Sequence, residues 1–259
     1  MELQQHPRGN YHFLTGIAPY SSAVIADPGY TLARFEFPQP VPYQTGFARI
    51  AALLEQLGRP RQALCAVELR IPEPLPFQGF IDFNQEYCTT LQEWDIYVDG
   101  VNPVARTNVA PGIEGVYTAS THAFTLTLPT AQHLPLAGVV RPVTFVVAGA
   151  GDLRDQADLS TAAIVRPNDT SPDAMRVKAE TVLDVMEARL AGIGCHWNQV
   201  AQANVYTVEP LDSIMQSHLL PRLGTAAIQG VNWYYSRPPI AGLAYEMDLR
   251  SVGMELRIE

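Results

Sequence analysis

Two stretches of the chain carry apolar residues at helical spacing. Across residues 44–57, Phe47, Ile50, Ala51, Leu54 and Leu57 fall on one stripe, and Gly58 follows as a residue able to close the helix in a left-handed conformation. Across residues 172–190, Val182, Met186 and Leu190 mark the inward face, and Ser171-Pro172-Asp173 supplies a capping hydroxyl, a first-turn proline and an acidic first turn. Each helix leads into a β-rich run, residues 63–71 and 200–208, and each run reaches a Glu-Pro-Leu turn that predicts the start of a second helix.

Glu73-Pro74-Leu75 recurs as Glu209-Pro210-Leu211, Leu54 as Leu190 and Gly58 as Gly194, all at one spacing, so one unit is written twice. The boundaries predict a first module over residues 1–129 and a second over 135–259. The order strand, helix, strand, helix, strand predicts an α+β fold in which each mainly antiparallel sheet is covered on one face by two helices.

Composition narrows the function. The chain has 259 residues, 47% hydrophobic and 17% charged, enough to bury a core. Its net charge of −9 and the lack of any Lys/Arg run argue against nucleic acid as a partner, because phosphate contacts need a concentrated basic face. Cys65, Cys88 and Cys195 are odd in number and lack metal spacing, which fits a reducing cytoplasm. No apolar run approaches the roughly 20 residues that span a bilayer, so no membrane role is expected. His6, His12, His122, His133, His196 and His218 form no close pair, and no GxGxxG or P-loop is present, so neither metal nor cofactor is expected. Lys178 is the sole lysine, and Schiff-base chemistry would rest on it alone.

The chemistry concentrates in Asn102-Pro103-Val104-Ala105-Arg106-Thr107-Asn108-Val109. A Pro-initiated turn there delivers one arginine to the start of an apolar strand, where a lone guanidinium is costly unless an anion joins it. Arg106 is therefore a candidate carboxylate clamp, and the expected partner is a small-molecule carboxylate.

Three pieces in order, Ala18-Pro19-Tyr20-Ser21-Ser22-Ala23, then Phe80-Ile81-Asp82-Phe83-Asn84-Gln85-Glu86-Tyr87, then Pro103-Val104-Ala105-Arg106-Thr107, resemble the RidA/YjgF (Rid) family of imine and enamine deaminases. Taken singly, Phe80, Phe83 and Tyr87 read as core and Pro19 as a turn. The resemblance implies two tandem RidA-like (chorismate-mutase-like) modules and a cofactor-free reaction in which water attacks a C=N carbon and ammonia leaves. It implies that Arg106 holds the substrate carboxylate, that the backbone of Asn108 faces the reacting carbon and that Tyr20 closes the pocket. Ala148-Gly149-Ala150 looks like the family's loop, so Gly149 would supply a backbone N–H from the neighbouring module. The second module has no arginine in Ile228-Gln229-Gly230-Val231-Asn232-Trp233 but keeps Glu246, whereas the first has His122 near the family's glutamate position. Either His122 carries the proton or the site is shared between modules. Glu246 could equally be an exposed carboxylate and His122 a surface residue.

Tandem Rid proteins of this size resemble the deaminases of 2-aminomuconate and its chloro derivative. Such a dicarboxylate would call for a second cation, with Arg70, Arg141 and Arg166 as candidates, and Trp233, Tyr234 and Tyr235 could wall a flat diene or simply be core. The family likeness also implies a homotrimer. The alternative reading is a non-catalytic, chaperone-like Rid protein that binds a metabolite; a chorismate-hydrolysing enzyme would need a longer chain.

Overall fold

The computed structural model describes residues 1–113, 118–130 and 143–258. Arg141 and the start of the second module at Pro135 lie outside the described residues. The protein is α+β, with a six-stranded and a seven-stranded sheet. None of the described helices is long and apolar enough to cross a membrane.

The two amphipathic stretches are the helices α1, Tyr43–Gln56, and α3, Pro172–Gly192. Both end alike. Gly58 has φ +62° and Gly194 φ +70°, a left-handed turn that favours glycine. In the first, Arg59 N–H donates to the Leu54 carbonyl and Gly58 N–H to that of Glu55; in the second, Cys195 N–H donates to Leu190 and Gly194 N–H to Ala191. This paired closure satisfies carbonyls that a helix end otherwise leaves bare. Ser171 Oγ accepts from Ala174 N–H at 3.3 Å at the start of α3.

The two halves of the chain repeat one strand order. In the first half, β4 (Tyr30–Pro42), β7 (Ser120–Pro129), β5 (Leu64–Arg70) and β6 (Ala105–Pro111) lie in that spatial order, and in the second half β8 (Phe145–Gly151), β12 (Glu246–Ser251), β9 (Gln202–Tyr206) and β10 (Asn232–Tyr234) repeat it. In each set only the last pair is parallel. The helix α2, Phe77–Glu93, covers the first sheet beside α1. Its counterpart over residues 212–223 breaks into a short turn, a wide-wound stretch at Met215–Leu219 and a last turn holding Pro221. The expected second helix is irregular there because Pro221 has no N–H to give and its ring collides with the carbonyl four residues back.

The two sheets exchange strands. β1 (Leu3–His6), β2 (Tyr11–Leu14) and β3 (Ala23–Ala26) extend the sheet of the second half through β3 and β8, while β11 (Ser236–Arg237) and β13 (Met254–Arg257) flank the sheet of the first. Apolar side chains of α1 and α2 pack with Phe35, Val67 and Phe124 on one sheet, and those of α3 with Val147, Met247 and Leu249 on the other. A third cluster, with Phe13, Leu32, Ala66, Ala105 and Ala148, draws strands of both sheets together.

Charged residues also meet between the sheets. Glu68 on β5 accepts from Arg34 Nε at 2.6 Å and Nη2 at 2.9 Å and from Arg250 Nη1 of β12 at 2.6 Å. Burial alone would raise the Glu68 pKa, but Arg250 and Arg34 hold it well below the usual carboxylate range. Removing one member of such a network strands the others without water and costs about 3–5 kcal/mol.

Candidate active site

The three sequence motifs meet in space through loop hydrogen bonds. Asn102 Nδ2 donates to the Pro19 carbonyl at 2.8 Å, and its Oδ1 accepts from Val104 N–H at 3.0 Å, fixing the turn that Pro103 begins. Ser21 binds the same turn twice, N–H to the Val104 carbonyl at 3.0 Å and Oγ to that of Pro103 at 2.9 Å. Tyr20 is thereby set beside the first residues of β6.

Arg106 is the second residue of β6 and only 2% exposed. Its guanidinium lies 4.8 Å from the Tyr20 ring, 5.0 Å from Tyr87 and 5.5 Å from Phe80, so aromatic faces offset part of its lost hydration. Nη1 donates to Asn84 Oδ1 at 2.6 Å. Among the described residues no carboxylate pairs with it, and Nε and Nη2 make no hydrogen bond to the protein, which leaves one edge of the fork for a ligand carboxylate.

Glu246, the first residue of β12, is 3% exposed, which excludes the solvated-carboxylate reading. Burial first, and then Asp248, raise its pKa well above the ordinary range, against the opposing pull of Arg106 and Arg189. The carboxyl's room comes from Gly149: a Cβ there would fall on Glu246 Oε1 and within 3.3 Å of Thr107 Cα. The β8–β12 register shifts between Met247 and Leu249, so Gly149 sits at a bulge. Arg189 Nη1 takes the carbonyls of Ala148 and Gly149 at 2.8 and 3.2 Å. Behind the site, Asp152 pairs with buried Lys178 at 2.6 Å and accepts the N–H groups of Ala244 and Tyr245 at 2.9 and 3.1 Å, fixing the backbone that enters Glu246. Lys178 is thus committed to a structural pair.

Tyr20, Arg106, Asn108, Gly149 and Glu246 line one cavity of about 30 Å³ together with Phe80. His122 does not. It lies on β7, where Arg70, Glu68, Arg34 and Glu36 surround it, and burial followed by Arg70 depresses its pKa to about 4. The proton-carrier role expected for His122 is therefore corrected: its strand carries it to the charge network between the sheets. Arg70 donates to its neighbouring Leu69 carbonyl, and Arg166 is tied to Asp169 and Asp173, so neither reaches the cavity. Trp233, Tyr234 and Tyr235 are 46%, 43% and 62% exposed and do not line this cavity.

Sequence reasoning missed two contributors. Asn84 stood inside a quoted motif, but nothing local marked it as the partner of Arg106. Arg189 falls three residues after Met186 on the buried stripe of α3, and a charge on that stripe was the available signal. Leu159 lines both the small cavity and an adjoining one of about 650 Å³ that also includes Pro19, Ile81, Asn84 and Cys88.

A buried arginine with no salt bridge among the described residues, on one cavity with a buried carboxyl of raised pKa, suits an enzyme that handles carboxylates and protons, and the chain belongs to a deaminase family. Residues 3–256 match the model of the 2-aminomuconate deaminase CnbZ family. A relative from Comamonas testosteroni, a 2-amino-5-chloromuconate deaminase, is 40% identical over 247 residues, 95% of each chain. Among solved structures, a chorismatase aligns with a TM-score of 0.46 at 11% identity, over 89% of this chain and 77% of its own. A cyanuric acid hydrolase aligns with a TM-score of 0.40 at 11% identity, over 88% and 69%.

Proposed function

We propose that this chain hydrolytically deaminates 2-aminomuconate or its 5-chloro derivative, releasing ammonia. The observation that carries the reading is that Arg106, buried and salt-bridged to no carboxylate among the described residues, lines the same cavity as Glu246, a buried carboxyl whose pKa is raised. The family and the Comamonas relative name the substrate class.

The chemistry follows from the groups in place. The enamine and its 2-imino tautomer interconvert by moving a proton between nitrogen and carbon, and a buried carboxyl with a raised pKa is suited to that exchange. Arg106 holds the carboxylate next to C2 through Nε and Nη2. Water adds to C2 and the C=N electrons move to nitrogen, which takes one proton from Glu246 to give the carbinolamine; a second proton passed through Glu246 makes that nitrogen a leaving ammonia as the C–N bond breaks and the carbinol oxygen, having given up both of its protons, becomes a ketone. Glu246 regains its proton from the attacking water, so one water is consumed for each ammonia. Orientation and proton delivery suffice because an imine carbon is already electrophilic. The 30 Å³ cavity is about one water in size, so the far end of the substrate extends past Leu159 toward the larger cavity.

The modules are read as RidA-like, with the arginine active in the first only. By ladder position Thr107 opposite Glu68 matches Asn232 opposite Asn204, which puts Val231 where the first module has Arg106. Likewise Ser120 opposite Arg70 matches Glu246 opposite Tyr206. One chain thus carries one complete site, assembled from both modules. The exposed Ile228, Trp233 and Tyr235 support a homotrimer in which they are covered, and the three free cysteines suit a cytoplasmic setting. The test of function is direct: purified protein mixed with 2-aminomuconate should release ammonia in step with loss of the diene chromophore. Binding without turnover would mark a metabolite-binding protein instead.

A further inference from the structure

Asn108 follows Arg106 by two positions on β6, so the two side chains share a face of the strand. It is 3% exposed and lines the cavity, yet neither Oδ1 nor Nδ2 has a hydrogen-bond partner. An apolar side chain of the same size would avoid the penalty of leaving both atoms dry. An unpaired amide aimed into a cavity is understandable when a ligand completes it.

The cavity is rich in donors and short of acceptors. Arg106 can only donate, and the Tyr20 phenol, whose pKa burial raises from 10.0, keeps its proton. The carbonyls at hand are engaged: Gly149 accepts from Arg189 at 3.2 Å and Gly151 from Gln156 Nε2 at 2.9 Å. Asn108 Oδ1 is a neutral acceptor with nothing bound to it.

We infer that the Asn108 side-chain amide reads the substrate's nitrogen: Oδ1 accepts an N–H of the group on C2 while Arg106 holds the carboxylate on C1. The inference rests on the functional reading above and deepens it, since recognition is assigned to the side chain as well as to the strand backbone. Adjacent carbons of the ligand would meet residues two apart on one strand face. Asn108 is thus a specificity-determining residue that separates an amino-dienoate from the same dicarboxylate lacking nitrogen.

The test compares wild type with Asn108→Leu, a near-isosteric apolar replacement, using two probes: 2-aminomuconate and trans,trans-muconate, which has both carboxylates and no nitrogen. The variant should melt at or above the wild-type temperature, bind muconate as wild type does, and lose about tenfold or more in kcat/KM on 2-aminomuconate. A parallel loss of muconate binding would assign Asn108 to a carboxylate and overturn the inference. A melting point several degrees lower would make the amide structural, and unchanged kcat/KM would remove the contact altogether. If wild type released no ammonia, the functional reading would fail by itself. Asn108 would then be judged by thermal shift with the same two ligands: preference of wild type for the amino ligand, erased in the variant, supports it, and no preference in wild type overturns it.

Discussion

Thr107 donates to Asp248 at 2.7 Å across 141 residues of chain, and this single bond ties β6 of one sheet to β12 of the other. Its neighbours are the groups that matter: Arg106 and Asn108 flank Thr107, and Glu246 lies two residues before Asp248. Asp248 is held in turn by Asn204 at 2.6 Å and Tyr206 at 2.8 Å, so the spacing between clamp and acid is set by a buried network and not by a loop.

Arg106→Met should lose at least about 100-fold in kcat/KM on 2-aminomuconate, because two charge-assisted hydrogen bonds at about 1.5–3 kcal/mol each are removed. Arg106→Lys should recover little, since an ammonium cannot fork. Asn84→Ala should raise KM more than it lowers kcat, as the guanidinium loses its orientation and keeps its charge. Steady-state ammonia release beside a thermal melt checks all three; near-normal turnover in Arg106→Met would end the clamp assignment.

Glu246→Gln should abolish turnover while keeping the fold, and its stability relative to wild type should change with pH in one direction. The folded pKa of Glu246 is raised above 4.5, so the native state holds that proton more tightly than the unfolded chain does. Its contribution is complete below pH 4.5 and is lost as pH climbs toward the raised value. Glutamine has no proton to lose, so the variant should gain on wild type with rising pH. Melting curves across that range decide it.

His122→Gln should keep most activity, because the side chain lies away from the cavity. Its effect belongs to acid stability. The folded pKa is depressed from 6.5 to about 4, so the native state resists a proton that the unfolded chain accepts, and wild type loses up to about 3 kcal/mol as pH falls through that window. The variant should show a shallower decline. Loss of turnover at neutral pH would return His122 to the mechanism.

Arg189→Met should leave the cavity lining unchanged yet lower kcat, by freeing the carbonyls of Ala148 and Gly149 that fix the bulge and by removing a positive charge near Glu246. Losing that charge favours the protonated carboxyl, so the alkaline limb of the kcat profile should move to higher pH. A rightward shift with little change in KM is the expected signature; a change confined to KM would argue against a positioning role.

Light scattering on the intact chain should give the mass of three chains, and Trp233→Ser with Tyr235→Lys should reduce it, the exposed aromatic patch being the surface covered. A monomer with full activity would refute the assembly. EDTA treatment followed by dialysis should not change turnover.

The helices and their glycine stops could be read from the sequence because spacing and caps are local. The strand exchange could not: β3 pairs with β8, a partner more than a hundred residues away, and brings β2 and β1 with it, and nothing in their own pattern selects it. The site divided the same way. Arg106, Tyr20, Asn108 and Gly149 were legible from motifs, and Glu246 from the surviving half of a duplicated pattern. His122 was misplaced because nearness to Arg106 in sequence does not fix where a strand lands: β7 runs between β4 and β5, and none of its residues lines the cavity. The charge network of Arg34, Glu68, Asp248 and Arg250 escaped because each residue alone looks like an ordinary polar strand position.

The exchanged strands make the molecule stitched, where two beads on a string would serve an ordinary duplication. β13 closes onto β4 and β3 onto β8, so a sheet cannot reach its full width until segments from both halves have found each other. Such distant pairing slows folding and couples the halves, so denaturant should melt the chain in a single sigmoidal step, and a nick in either half should unravel both.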